Sequence, residues 1–242
     1  MVDQTAILSD VNGNAEALAA VFADIRAQGI QRIVFLGDSI GYCSDSLECY
    51  DAIRKTADIY LLGRLELRLL KVSKPNDVLP DPVLASCSSA THSQLAWLKG
   101  RNKTASEGRV TFAHSSPLGV ENGCLEMDDF MGLTRLRVLD TFDGLLCVGD
   151  NHKPWIYSTT LGVATARDLK NSFRIPDTGQ TILSVGSVGF PKDRDPRACY
   201  AIVQDDLILW RRVEYDIDKT ISKLIQSEFF ARDLPRRLEQ GV

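Results

Sequence analysis

The 242-residue chain is long enough for one large α/β domain with a substantial core, and 44% hydrophobic with 25% charged residues is ordinary for a globular protein. A formal net charge of -4 gives no basic footprint for nucleic acid. No apolar run reaches a membrane span, no charged-then-apolar leader opens the chain, and six cysteines without a CxxC pair suit neither zinc finger nor disulfide framework, so a cytoplasmic location is expected.

Residues 5–14, TAILSDVNGN, run from a short buried strand into a polar turn with Ser9, Asp10 and Asn12 at the strand's C-terminal end. A helix follows, with Ala15, Leu18, Phe22 and Ile25 at helical spacing and Gly29 suited to its C-terminal cap. Open α/β sheets place ligands at such strand ends. Asp10 by itself is equally readable as a helix cap. The second strand, residues 33–36, leads to the loop GDSIGYC, after which Asp45 is placed to cap a helix bearing Leu47, Tyr50 and Ile53. A third strand, residues 59–62, precedes a short amphipathic helix through Leu65, Leu69, Leu70 and Val72. Three prolines in residues 75–82 mark a surface connection. Residues 91–99 read as a helix with Leu95 and Leu98 inward, Trp97 at an edge and His92 on the surface. A fourth strand ends at His114; the polar segment 115–123 and a Leu- and Arg-rich helix-like stretch then lead to a fifth strand, residues 145–149.

Alternating strand and helix up to Pro154 predicts a parallel sheet. Beyond it, residues 155–157, 161–166, 181–185, 198–203 and 207–213 are strand-like, with Asp205-Asp206 as a hairpin turn. They predict a mainly antiparallel second sheet packed on the first. Cys147 and Cys199 read as small core residues. The tail, residues 216–239, is amphipathic through Ile221, Leu224, Ile225 and Phe229, with Pro235 interrupting it. Neither linker composition nor repeat appears, so residues 1–242 are expected to form a single domain.

Recurrence separates cap from site. Five apolar strands each deliver a charged, amide or imidazole group at the C-terminal end: Asp10 and Asn12, Asp38, Arg64, His114, then Asp150 and His152. Independent caps would not be expected to collect two of only three histidines.

In this order these residues resemble the calcineurin-like metallophosphoesterases, specifically the small bacterial and archaeal phosphodiesterase-like members. The family blocks D-x-H-G-N, G-D-x-x-G-Y, G-N-H-D/E, H-G-S-P and G-H-T-H-x-P correspond here to DVNGN from Asp10, GDSIGY from Gly37, GRLE from Gly63, HSSP from His114 and GDNHKP from Gly149. Gly186-Ser187-Val188-Gly189 and Asp195-Pro196-Arg197 are similar to the family's second-sheet signature. The resemblance implies a four-layer α/β/β/α sandwich of two facing mixed sheets, and a centre of two divalent metals that activates water in phosphoryl transfer.

It also implies a ligand set. Asp10, Asn12, Asp38 and His152 would hold the first metal, with Asn12 in place of a His. Arg64, His114 and Asp150 occupy the second position together with Asp38, but Arg64 stands for Asn and Asp150 for His. A guanidinium cannot ligate. Leu65 replaces the family's general-acid His, which leaves no catalytic residue assigned. The expectation is therefore a degenerate centre with one divalent metal (manganese, iron or zinc) rather than two. Such a protein is a weakly active or inactive phosphoesterase, a pseudoenzyme that binds a phosphorylated small molecule or nucleotide. The alternatives are an active one-metal phosphoesterase using Arg64 as a phosphate-binding cation, a protein without any ligand site, and a dinucleotide binder, which the missing G-x-G-x-x-G disfavours. Arg64 is expected to bond Asp150, Asp38 or both.

Overall fold

The computed structural model describes residues 4–72, 82–120, 124–127, 137–227 and 230–242. Its strands are β1 (Thr5–Leu8), β2 (Arg32–Phe35), β3 (Ile59–Tyr60), β4 (Thr104–Glu107), β5 (Val110–Ala113), β6 (Leu145–Val148), β7 (Pro154–Ser158), β8 (Gly162–Thr165), β9 (Ser172–Arg174), β10 (Thr181–Val185), β11 (Ala198–Gln204) and β12 (Leu207–Val213). The helices are α1 (Ala15–Ala27), α2 (Ser46–Thr56), α3 (Arg64–Val72), α4 (His92–Lys99), α5 (Ile217–Gln226) and α6 (Leu234–Gln240), with a 3-10 turn at Pro82–Cys87.

Two mixed six-stranded sheets face each other, in the orders β3-β2-β1-β11-β12-β9 and β4-β5-β6-β10-β7-β8. Strand alternation sorts the side chains. Ile7, Val34 and Leu36 of the first sheet meet Phe112, Cys147 and Leu183 of the second between the sheets. Their neighbours Ala6, Leu8 and Phe35 point the other way and pack under α1 to α4. Leu146, Val148, Trp155 and Ile182 cover the outer face of the second sheet with Leu125, Val138 and Phe142. Each fully buried Leu, Ile or Phe in these layers contributes roughly 1.5–3 kcal/mol relative to exposure.

The expected division at Pro154 does not hold. β11, β12 and β9 extend the first sheet, because the parallel trio β1-β2-β3 leaves β1 with an open edge that β11 covers antiparallel. β10 instead joins the second sheet, parallel to β6 and antiparallel to β7. Every strand that carries an expected site residue lies in a parallel pair: β1, β2 and β3 in one sheet, β5 and β6 in the other. Their C-terminal ends therefore point to one rim.

Other local expectations shift. β3 is only two residues long, and the short polar strands β4 and β9 carry no alternation that would announce them. Asn14, not Asp10, caps α1, its side chain accepting from the Ala17 N–H at 3.0 Å. Asp45 occupies the cap position of α2 without a side-chain cap bond; Lys223 takes its carboxylate at 2.7 Å instead. Pro235 sits in the first turn of α6 and starts that helix rather than breaking one, since its missing N–H has no intrahelical partner there anyway. Leu224 is buried, whereas Ile225 is 70% exposed; Phe229 lies outside the described residues. So do residues 75–81 of the expected connection, 121–123 of the polar segment and most of the Leu- and Arg-rich stretch. Cys147 and Cys199 are buried as expected, and burial raises both thiols, Cys199 to about 12. Among the described residues no helix is long and apolar enough to cross a membrane.

Candidate metal centre

The loops after the parallel strands continue the ladder past the strand ends. Asp10 N–H donates to the Gly37 carbonyl and Asn12 N–H to the Asp38 carbonyl, both at 3.0 Å. The loop after β10 closes from the other side: Val188 N–H and Gly189 N–H reach the Ser9 and Asp10 carbonyls, and Ser187 Oγ also donates to Asp10. Within the second sheet, the Gly149 N–H donates to the His114 carbonyl at 2.8 Å and extends the β5–β6 ladder. A Cβ on Gly149 would overlap the Ser9 hydroxyl, and one on Gly63 would overlap the Asp38 carboxylate, so both approaches require glycine.

Asp10, Asn12, Asp38, Asp150 and His152 all have φ between 53° and 68°, the left-handed region that Asp, Asn and His tolerate better than other side chains. Backbone strain thus concentrates at the rim where the polar side chains converge. Asp10, Asp38 and His114 come together, His152 faces Asp10 and Arg64 bonds Asp150, while Leu65 turns away. Its side chain is 3% exposed and belongs to the core beneath the Gly41 loop, so it contributes only its backbone N–H, which donates to Asp38 Oδ1 at 2.7 Å.

One half of the rim is short of partners. Asp10 is fully buried, and its Oδ2 accepts from the Asp150 N–H at 2.9 Å while Oδ1 has no hydrogen bond. His152 Nδ1 donates to the Phe190 carbonyl at 2.7 Å, so Nε2 carries the lone pair. That lone pair lies 3.5 Å from the orphaned Asp10 Oδ1. Burial, followed by the nearby Lys192 ammonium, pulls the His152 imidazole down to about 3, so it stays neutral at pH 7. This pair can share either a proton, which Asp10 carries when its raised carboxyl is protonated, or a cation in its place. Both polar atoms of the Asn12 side chain are likewise buried and unpartnered. Asp10, Asp38 and His114 each bring a ligand atom within 4.8 Å of the others. A divalent ion fits these donors, and the nitrogen–oxygen set suits manganese, iron or zinc.

In the other half Asp150 is satisfied, whereas both ring nitrogens of His114 are buried without a hydrogen-bond partner. Arg64 forks onto Asp150, Nε donating to Oδ1 at 3.2 Å and Nη2 to Oδ2, while Nη1 donates to the Val120 carbonyl at 2.9 Å. Ser115 Oγ adds a further donor to Asp150 Oδ2. Burial alone would raise the Asp150 carboxyl; His114 and Arg64 outweigh it and hold it below the usual range. His114 Nε2 lies 3.4 Å from Asp38 Oδ2 and 3.7 Å from Asp150 Oδ1. Burial lowers this imidazole, but Asp38, then Asp10 and Asp150, prevail and push it up to about 10. Asp10 moves the opposite way for a carboxyl, raised to about 7 chiefly by burial.

Two residues outside the expected set hold the centre together. The buried Glu66 accepts from the N–H groups of Gly63, Asp38 and Ser39 at 2.7–2.9 Å, and from the hydroxyls of Ser39 and Tyr60. Glu66 is the third residue of α3, from which a Glu reaches back to the residue before the helix; the block GRLE carries that signal. Lys192, whose ammonium is lowered by burial, answers the charge of Asp10. No local pattern announces it.

No protein-family model matches the chain. An uncharacterized protein of Methanocaldococcus jannaschii is 27% identical over 233 residues, 92% of each chain. A crystal structure of a metallophosphoesterase from Sphaerobacter thermophilus has a TM-score of 0.82 at 26% identity, with all of both chains covered. A hypothetical protein from Pyrococcus horikoshii OT3 shares the fold at a TM-score of 0.72 and 18% identity, over 99% of this chain and 98% of that one.

Proposed function

The chain is a metallophosphoesterase-family protein with the αββα sandwich of that fold, and from this premise we propose that its centre holds one divalent cation and a phosphoryl group, with Arg64 in place of a second metal. The Arg64–Asp150 fork carries this reading. Asp10, Asp38 and Asp150 bring three carboxylates to one rim, and two carboxylates 4 Å apart repel by about 4 kcal/mol at an effective dielectric near 20. Members of the family meet such charge with divalent metals. Here Asp150 is neutralised by a cation belonging to the chain itself.

Asp10, Asn12, Asp38 and His152 would hold the ion, with His114 beside it. Bound there, a divalent ion supplies Lewis acidity toward a phosphoryl oxygen and lowers the pKa of a bound water. The residues do the rest. The Phe190 carbonyl fixes the His152 tautomer, Glu66 fixes the Asp38 loop, and Arg64 presents its remaining N–H groups to a phosphate oxygen. Leu65 offers no proton to a leaving group. The protein is therefore a binding module for phosphorylated small molecules or nucleotides, with hydrolysis weak or lost, and the whole chain acts as one domain.

Metal analysis of the purified protein, paired with a generic phosphodiester assay in added manganese, tests this. One equivalent of metal per chain and near-background turnover are expected. Two equivalents, or turnover at a family-typical rate that Asp38→Ala abolishes, would overturn it. The guanidinium side chain is 42% exposed, and that favours one variant of the reading, a one-metal phosphoesterase. It would show one equivalent of metal and a turnover lost in both Asp38→Ala and Arg64→Gln.

A further inference from the structure

A second polar hollow lies outside the candidate metal centre and shares none of its residues. It has a volume of about 350 Å³ and forms where the turn after β8, the loop before β11 and strand β12 meet. All three segments lie within the described residues. The turn supplies Arg167 and Asn171, the loop supplies residues 193–197, and the strand supplies Arg212. Backbone bonds fix the join: Asn171 N–H donates to the Ala166 carbonyl at 2.7 Å, and Trp210 N–H donates to the Asn171 carbonyl at 3.0 Å.

Its charges are only partly matched. The Arg212 side chain is 8% exposed; Nη2 bonds Asp193, and Nε lies 3.8 Å from Asp195 Oδ2. Arg197 forks onto Asp195, Nε donating to Oδ1 at 2.9 Å and Nη2 to Oδ2 at 2.6 Å. Both carboxylates are thereby committed. Arg167 and Arg194 are exposed and form no ion pair among the described residues. Asp168, beside Arg167 in the chain, accepts from the Thr165 N–H and hydroxyl instead. Arg194 also has a φ of 66°, where glycine or asparagine is at ease and a long side chain is not. Its N–H donates to the Gly241 carbonyl at 2.8 Å, which holds it there. Two polar groups beside these cations lack partners. The Asn171 side-chain amide makes no hydrogen bond among the described residues, and Asp193 Oδ1 is buried without one.

We propose that this hollow binds a small sugar or polyol monophosphate, its phosphoryl group on Arg167 and Arg194 and its hydroxyls facing Asn171 and Asp193. The site needs no metal and does not rest on the function proposed above. Among the described residues that line it, four arginines and two aspartates leave two positive charges. A phosphomonoester brings about two negative charges at neutral pH. Guanidinium forks take phosphate oxygens in pairs, whereas a single carboxylate would leave one fork unused. A carboxylate oxygen accepts but cannot donate, so Asp193 calls for a hydroxyl beside the anion rather than for a second anion. Orthophosphate alone would leave both Asn171 and Asp193 unread. The volume stands at the small end of ligand cavities, which suits a sugar monophosphate.

Calorimetric titration of the full chain in chelator, at constant ionic strength, tests this with ribose 5-phosphate, orthophosphate, ribose and succinate. One ribose 5-phosphate per chain should bind at least about tenfold tighter than orthophosphate or ribose, as one or two added polar contacts would give. The double variant Arg167→Ala, Arg194→Gly should weaken it at least about tenfold; glycine keeps the left-handed backbone at position 194. The charge-matched Arg26→Ala, Lys55→Ala variant should keep the native affinity. Asn171→Gly, which also keeps its backbone, should narrow the margin over orthophosphate. If Arg64→Gln abolishes the binding while the Arg167→Ala, Arg194→Gly variant retains it, the ligand sits at the candidate centre, and this proposal fails while the reading of the centre stands. Orthophosphate or succinate binding as tightly as ribose 5-phosphate, or equal losses in the two double variants, would also overturn it.

Discussion

The two halves of the rim are built from the same kinds of residue and differ in what completes them. In one half, His152 Nε2 faces the unpartnered Asp10 Oδ1, and both polar atoms of the Asn12 side chain are buried without a partner. Around Asp150, the carboxylate oxygens accept from Arg64 and Ser115. Buried polar groups without partners are costly, so the first half is stable only if something else supplies positive charge. The second already contains it. A covalently attached guanidinium and a diffusible metal ion are thus two answers to one electrostatic problem, and only the metal leaves a position open for chemistry. Asp38 and His114 lie between the halves and feel both.

The largest expected effect comes from removing what both halves share. Glu66→Ala strands three backbone N–H groups in the core and releases the Asp38 loop. It should cost about 3–5 kcal/mol of unfolding free energy in a denaturant titration, the range for breaking a buried charged network. A loss below about 1 kcal/mol, the size of one ordinary hydrogen bond, would show that the halves do not depend on a common anchor.

Exchanging one answer for the other is the next step down. Arg64→Ala leaves Asp150 unpaired, but the guanidinium is 42% exposed. Solvent screening reduces the expected loss to about 1–2 kcal/mol. In the double variant Arg64→Asn, Asp150→His the second half should bind metal, taking the manganese content from one to two equivalents per chain. If the content stays at one, Arg64 is not what excludes the second ion.

Acidity separates the halves more gently. His114 and Asp10 both have raised folded values, about 10 and about 7. A raised value favours folding at low pH. The Asp10 contribution fades from about pH 4 to 7 and the His114 contribution from about pH 6.5 to 10. Asp150 is depressed, so its contribution is present above pH 4 and is lost only as pH falls below that. Metal-free protein should therefore lose thermal stability between pH 7 and 10, while manganese-loaded protein, having released the His114 proton, should not. Parallel melting curves in chelator and in manganese would decide this; coincident pH dependences would count against the metal position.

The smallest effect is on activity. Leu65→His should restore no hydrolysis, because position 65 packs beneath the Gly41 loop rather than lining the cleft. An increase in phosphodiester turnover would mean that the side chain reaches the rim. A stability loss of about 1–3 kcal/mol is expected from placing an unpartnered ring nitrogen in the core.

Much of this was legible in the chain itself. Strand-then-polar-residue repeats mark Asp10, Asp38, Arg64, His114, Asp150 and His152, because a buried strand in a parallel sheet must be apolar and its C-terminal end is where polar groups emerge. Helical spacing marks α1 and α4, the latter opened by a capping box at Thr91 that the structure shows. The Arg64–Asp150 bond is an expectation the structure meets, since the two strand ends carry opposite charges. Which strands share a sheet was not legible. Pairing of β1 with β11 joins residues almost two hundred positions apart, and alternation within a strand states which face is buried but not who covers the edge. For the same reason Glu66 reads locally as a helix residue and Lys192 as an ordinary lysine. Their roles arise only when long-range packing brings three loop N–H groups to one carboxylate and an ammonium within electrostatic reach of Asp10. Sequence determined which chemical groups stand at the strand ends; the tertiary structure decided which of them are left without partners, because solvation and pairing depend on neighbours that the chain supplies from elsewhere.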